Sequence, residues 1–357
     1  MDDTITTALP RSMGTNPQRR IKQPWPSDRE FRILAVDGGG IRGVFPAAFL
    51  AALESSLCAG QPVGDFFELI TGTSTGGLIA LGLGAGRSAG ELQQLYIDRG
   101  PEIFPPYPDT ALGRARRTLY NYTVGLARYR CDHLALQAIL REFLGQATFG
   151  SSRYRLVIPS TDGRFGELAL FKNRFHPDYR MDHQKLMFDI GLATSAAPTF
   201  YPAHDAHGLR YVDGGVWANN PIMLGVIEAL VSFDVQPSQI RVLSIGCGDE
   251  PFRVSDRMAG RKMIGGGLWS WKLVIGAALR CQSLAALNQA RLLLGPANIT
   301  RIEPAIVGKP IALDDYRRAA NELLPAVGPA LSQHGETILN SFLSAEADRF
   351  VPESQAE

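Results

Sequence analysis

Ser74 is the residue in this sequence with the strongest claim to chemistry. It stands in Gly72-Thr73-Ser74-Thr75-Gly76, after the apolar residues Phe66, Phe67, Leu69 and Ile70 and before Leu78-Ile79-Ala80-Leu81. A serine between two glycines where a strand turns sharply into a helix is a nucleophile elbow: bulky flanking side chains would collide, and the hydroxyl is pushed outward. Short Gly/Ser patterns also arise by chance in a chain with 37 glycines, so an ordinary loop serine is the competing reading. The 18 residues from Leu69 to Gly86 carry no charge, close to the length of a membrane span, but six are glycine and a glycine-rich interior makes a poor helix. A span is rejected.

A second glycine turn lies upstream. Phe31-Arg32-Ile33-Leu34-Ala35-Val36 reads as a strand, Asp37-Gly38-Gly39-Gly40-Ile41-Arg42-Gly43 as a loop, and Val44 to Glu54 as a helix with Pro46 in its first turn. Gly38, Gly40 and Gly43 satisfy G-x-G-x-x-G, and Asp65 follows at a distance suited to a dinucleotide ribose. The same loop, at a helix N-terminus, can instead present backbone N–H groups to an oxyanion. Both readings are open at this point.

The third turn is Asp213-Gly214-Gly215, after the short strand Arg210-Tyr211-Val212. If the three turns meet at the ends of adjacent parallel strands, one chemistry results. Ser74 attacks a carbonyl, Asp213 takes the serine proton, and the amides of Gly38, Gly39 and Gly40 hold the oxyanion. A carboxylate is a weak base in water and needs burial to raise its pKa, which the small Gly214 and Gly215 permit. A Ser-Asp-His triad would require His334, which falls in a C-terminal helical pattern.

The elements that must position these groups alternate in type. Ser88-Ala89-Gly90-Glu91 is a capping box that starts a helix to Arg99, and Asp132 caps a helix ended by Gly145. Tyr154 to Ile158 and Leu168 to Phe171 read as strands joined near Asp162-Gly163. Phe188 to Ala197 is a small-residue helix expected beside the elbow. Ile222 to Val231 is a helix, and Arg241 to Gly246 is a buried strand. Helical patterns over Leu268 to Leu294, Asp314 to Leu324 and Pro329 to Phe350 close the chain. Residues 1–29 lack periodicity and read as a mobile tail. Residues 30–357 then form one α/β domain: a three-layer fold with a mostly parallel sheet flanked by helices, plus C-terminal helices.

Composition sets the outer limits. With 357 residues, 45% hydrophobic and 20% charged, the chain is globular, and 36 basic against 35 acidic residues leave no net field for nucleic acid. An anionic partner must meet a local patch. Thr110 to Cys131 is one: it holds Arg114, Arg116, Arg117, Arg128 and Arg130, three tyrosines and no acid, and suits phosphate or a solvated loop. Cys58, Cys131, Cys247 and Cys281 lie far apart and read as reduced, mostly buried thiols, with no metal site among them. The N-terminus, opening with Asp2 and Asp3, has no apolar signal core, so a cytoplasmic location is expected.

At the three turns, and again at Ala193-Thr194-Ser195-Ala196-Ala197-Pro198-Thr199-Phe200, the chain resembles the patatin-like phospholipase family, with four motifs in the expected order over about residues 31 to 250. The resemblance implies a patatin-type fold, a Ser74/Asp213 dyad without histidine, an oxyanion block at Gly38 to Gly40 supported by Arg42, Gly72, Gly76, Gly214 and Gly215, and acyl-ester hydrolysis without a cofactor or metal. Gly100-Pro101-Glu102-Ile103-Phe104 and Leu331-Ser332-Gln333-His334-Gly335-Glu336 are similar to the bacterial effector phospholipases CapV and CapE of CBASS antiphage systems. That similarity implies activation by a cyclic dinucleotide of the cGAMP type, made by a partner nucleotidyltransferase. It also implies attack on membrane phospholipid at the inner face of the cell membrane, peripheral membrane contact and a possible homo-oligomer. Arg114, Arg116 and Arg117 are the candidate contacts for nucleotide or membrane phosphate.

Overall fold

The computed structural model of the chain describes residues 20–104, 129–248, 274–306, 310–348 and 350–351. Arg114, Arg116 and Arg117 lie outside the described residues, as do Trp269, Trp271 and Lys272 of the long C-terminal helical pattern.

The chain runs β1 (Phe31–Val36), α1 (Val44–Ser56), β2 (Leu69–Gly72), α2 (Thr75–Gly84), α3 (Ala89–Ile103), α4 (His133–Leu144), β3 (Leu156–Asp162) and β4 (Glu167–Lys172). It continues through α5 (Met187–Ser195), β5 (His204–Ala206), β6 (Leu209–Asp213), α6 (Ile222–Ser232), β7 (Ile240–Ile245), α7 (Val274–Leu294), β8 (Ile299–Ile302) and α8 (Val327–Phe342). One sheet orders the strands β5-β6-β3-β2-β1-β7-β8, with β4 on β3. The five from β3 to β8 are parallel to their neighbours; β4, β5 and β6 pair antiparallel.

Three layers follow from the alternation of side chains along the buried strands. On β1, Leu34 and Val36 join one core with α1, α2, α3, α4, α5 and α8. Phe31, Ile33 and Ala35 point the other way, into a second core with α6 and α7. Helix starts match their chemistry: Ser88 and Glu91 form the reciprocal capping box of α3, and the Asp132 carboxylate accepts from the N–H of Ala135.

Several expectations change. The reading of three adjacent parallel strands fails, because β6 is antiparallel and joins β3. Phe66 belongs to a 3-10 turn (Val63–Phe66) before β2. Residues 20–29, assigned to the tail, are packed: the Gln23 N–H donates to the Ser232 carbonyl, and the Trp25 ring meets Phe31 and Phe233 at 4.8 and 5.8 Å. The cysteines are free and mostly buried, as expected: Cys58, Cys131 and Cys247 are buried and Cys281 is exposed. Among the described residues no helix is long and apolar enough to cross a membrane, and no group of His, Cys, Asp and Glu could hold a metal.

Candidate active site

Sheet register explains how an antiparallel strand reaches the elbow. β2 pairs with β3 at Thr71 and Val157 and then ends, while β3 runs on to Asp162. β4 occupies the other edge of β3 from Val157 to Asp162, so β6 takes the edge that β2 vacates, with Asp213 opposite Ser160. The last residue of β6 thus comes end-on to the turn that closes β2. The Ser74 hydroxyl donates to Asp213 Oδ2 at 2.7 Å.

The elbow is strained as its sequence requires. Ser74 has φ +53° and ψ −120°, a region that costs a non-glycine residue about 1–3 kcal/mol and persists only where the surroundings enforce it. Glycine at the flanks is what permits the fold-back: a Cβ on Gly72 would lie 2.1 Å from the Gly76 carbonyl oxygen, and one on Gly76 would lie 2.2 Å from that of Val36. The phrase from Ala193 to Phe200 sits beside this turn, where the Thr194 hydroxyl accepts from the Ser74 N–H at 3.1 Å and donates to the Pro159 carbonyl.

Asp213 is 5% exposed, and burial pushes its carboxyl from 3.8 up to about 6, opposed in part by hydrogen bonds from the Gly215 N–H and the Ser74 hydroxyl. Gly214 leaves no room for a side chain, since a Cβ there would meet the Pro159 carbonyl at 2.4 Å. The result is a carboxylate poised near neutrality with its Oδ2 on the serine.

The glycine loop after β1 stands over this pair. Of the three amides expected to hold an oxyanion, that of Gly38 is engaged by the Asn219 carbonyl at 2.9 Å. Among the described residues the N–H groups of Gly39 and Gly40 have no acceptor, and both residues line the cavity at the start of a 3-10 turn (Gly40–Gly43). Arg42 pins the loop, its Nη1 donating to the Gly248 carbonyl at 3.1 Å and its Nε reaching that of Gly39.

The sequence reading missed a second support. Arg301 on β8 donates to both carboxylate oxygens of Asp37, at 3.0 and 2.6 Å, and to the Ser244 hydroxyl at 2.7 Å, with Glu303 as a further partner. Glu303 in turn accepts from the Gly248 N–H, and the Leu313 carbonyl accepts from the Ile41 N–H. The loop is therefore held from both sides by residues near the C-terminus. β8 is four residues long and reads Ile-Thr-Arg-Ile, too short and too polar to stand out.

Ser74, Asp213, Gly38, Gly39, Gly40, Arg42 and Gly215 line one cavity of about 940 Å³, near the upper end of the roughly 300–1,000 Å³ usual for ligand sites. Its inner wall is apolar, with Leu78, Leu92, Leu95, Ile103, Phe104 and Leu140 among its residues. None of the six histidines lines it; His334 is half-buried on α8. Asp65 precedes β2, at the opposite end of the sheet from the glycine loop, and accepts from the Tyr154 hydroxyl. The ribose contact that a dinucleotide fingerprint requires is therefore absent from the cavity.

A strained serine hydrogen-bonded to a buried carboxylate thus shares one cavity with the glycine loop and an apolar cleft. The chain belongs to the patatin-like phospholipase family, whose model matches residues 34–226. It is similar to the cGAMP-activated phospholipase of Escherichia coli (strain TW11681), 34% identical over 252 residues that cover 67% of this chain and 68% of the relative. It is also similar to the cGAMP-activated phospholipase of Vibrio cholerae serotype O1, 32% identical over 71% of this chain and 75% of the relative. Patatin-like protein 2 of Oryza sativa subsp. indica is 35% identical over 63% of each chain.

Proposed function

We propose that the protein hydrolyses acyl esters of membrane phospholipids with Ser74 as nucleophile and Asp213 as general base. Ser74 Oγ forms a bond to the acyl carbonyl as its proton passes to Asp213, and the carbonyl oxygen becomes an oxyanion facing the Gly39 and Gly40 amides. The tetrahedral adduct collapses, and the leaving lysophospholipid oxygen takes the proton from Asp213. Water then attacks the acyl-enzyme carbonyl carbon, giving a proton to Asp213, and collapse breaks the bond to Ser74 Oγ, which takes that proton back as the fatty acid leaves. The observation that carries this reading is the 2.7 Å hydrogen bond from Ser74 Oγ to Asp213 Oδ2 beside an apolar cavity wall.

Regulation is proposed from the relatives. Two of them, 34% and 32% identical, are named cGAMP-activated phospholipases, which supports a cyclic dinucleotide of that type as the activator here. The nucleotide comes from a partner nucleotidyltransferase, and the protein acts as an antiphage effector on the inner face of the cell membrane, with peripheral contact and a change of assembly on activation. A ligand activates only by favouring the competent state, so activation and tight binding go together. The test is fatty-acid release from phosphatidylethanolamine and phosphatidylglycerol vesicles across a cyclic-dinucleotide panel. Release that needs one nucleotide and is lost in Ser74→Ala is expected; full release without any nucleotide would remove the regulatory reading.

A further inference from the structure

We propose that Arg130 is a phosphodiester-binding residue of the Ser74 cavity, an inference that rests on the acyl-hydrolase reading of that cavity. Five arginines line the cavity: Arg42, Arg99, Arg130, Arg280 and Arg301. Three have polar roles in the fold, Arg42 with the Gly248 carbonyl, Arg99 with Glu102 and Glu142, and Arg301 with Asp37; Arg280 also has an interaction, although its Nη1 is buried without an acceptor. Arg130 has no side-chain hydrogen bond or ion pair among the described residues, and its Nε is fully buried without an acceptor. A buried guanidinium N–H left unpaired is costly, and the cost is removed when an anion arrives.

The cavity does not supply that anion itself. Its carboxylates are Asp37, Asp213 and Glu303. Asp37 and Glu303 are held by Arg301, and Asp213 accepts from Ser74 and Gly215. Among the described residues no cavity carboxylate is left for Arg130, and on this proposal its counter-charge comes with the ligand.

Arg130 is also fixed in place. Its guanidinium lies over the Phe200 ring at 5.1 Å, a cation–π contact that leaves the N–H donors of the planar fork unused. Its backbone N–H donates to the Thr199 carbonyl and that of Cys131 to the Phe200 carbonyl. Thr199 has φ +71°, a strained conformation for a β-branched residue and one that marks functional turns. Three residues before it, the Ala196 carbonyl accepts from the Asp213 N–H at 3.0 Å, so the turn ties Arg130 to the dyad strand. A phosphodiester fits this fork through two parallel N–H···O bonds. It occurs in a phospholipid headgroup and in a cyclic dinucleotide, and is lacking in a neutral acylglycerol.

The experiment compares wild type, Arg130→Gln and Arg130→Lys on phosphatidylcholine and on diacylglycerol in the same detergent micelles, at a range of cGAMP concentrations. If the headgroup is the ligand, Arg130→Gln lowers kcat/KM on phosphatidylcholine roughly 10- to 100-fold more than on diacylglycerol, mainly through KM, and Arg130→Lys recovers part of the loss. If the nucleotide is the ligand, both substrates respond alike, and the cGAMP concentration for half-activation rises by a similar factor. Equal loss on both substrates with an unchanged half-activation concentration, or no change in either arm, overturns the proposal. Calorimetric titration of Ser74→Ala, with and without Arg130→Gln, by dihexanoyl phosphatidylcholine and by cGAMP reads the same subsite without turnover. An affinity difference there alongside an inactive wild type would sink only the acyl-hydrolase reading.

Discussion

Asp213 reaches Ser74 from a strand that runs against the one carrying the elbow, and the 2.7 Å bond between them forms because β6 takes over the edge of β3 that β2 leaves free. Ser74 and Asp213 thus face each other end to end across a gap in one sheet. With Asp213 as the proposed base, no histidine relay is needed. Its reactivity is set by how deeply the carboxylate is buried.

The two residues should therefore behave as a unit. Ser74→Ala and Asp213→Asn are each expected to lower kcat by roughly 10⁴-fold or more, and the double variant should be no worse than the weaker single one. His334→Ala should retain activity, because that ring is on α8 and away from the cavity lining. Steady-state release of a chromogenic acyl ester reads all four proteins.

The pH profile should carry the signature of Asp213. The base must be ionised, so kcat/KM is expected to rise with pH through about 6, the value to which burial lifts the carboxyl from 3.8. Stability runs the opposite way. The folded pKa exceeds the unfolded one, so the stability contributed by protonated Asp213 is full below 3.8 and lost as pH rises through about 6. At about 1.36 kcal/mol per unit this amounts to ~3 kcal/mol that Asp213→Asn should not lose. Urea melts of both proteins at about pH 4 and about pH 7.5 measure the difference.

Within the glycine loop, position 40 should be the most sensitive. Gly40 has φ +56°, and a Cβ there would lie 2.5 Å from the Leu313 carbonyl, so Gly40→Ala must turn its amide away. Loss of one oxyanion donor lowers kcat by roughly 10²-fold. KM should change far less, which a full saturation curve will establish.

Arg301 should act through Asp37. Removing the guanidinium in Arg301→Ala takes the two-point partner from the buried Asp37 carboxylate beneath the loop, and breaking a buried pair typically costs about 3–5 kcal/mol of stability. Arg301→Lys retains the charge but not the two-point contact. It is expected to keep the fold and lower kcat with little effect on KM, as read by thermal melts beside kinetics.

The turns that build the proposed site were legible in the sequence because they are local. Ser74 and its flanking glycines, the Gly38 to Gly40 run and Asp213-Gly214-Gly215 each encode a tight turn whose geometry follows from residue size. What escaped was non-local. Nothing around Arg210 to Asp213 says that its strand runs antiparallel, since that depends on how far β3 extends past β2. That Asn219 would take the Gly38 amide, or that Arg301 would hold Asp37, depends on contacts made across 181 and 264 residues. Residues 20–29 misled because their polar composition hides the anchoring of Gln23 and Trp25 against Ser232 and Phe233.

The most direct measurement of the central claim is intact-mass and peptide mapping after exposure to a fluorophosphonate, with and without cGAMP. Only a serine activated by a neighbouring base reacts readily. One adduct per chain on Ser74, absent from Ser74→Ala and strongly slowed in Asp213→Asn, is the predicted result. An adduct on another residue, or labelling of Ser74 at an undiminished rate in Asp213→Asn, would contradict the account.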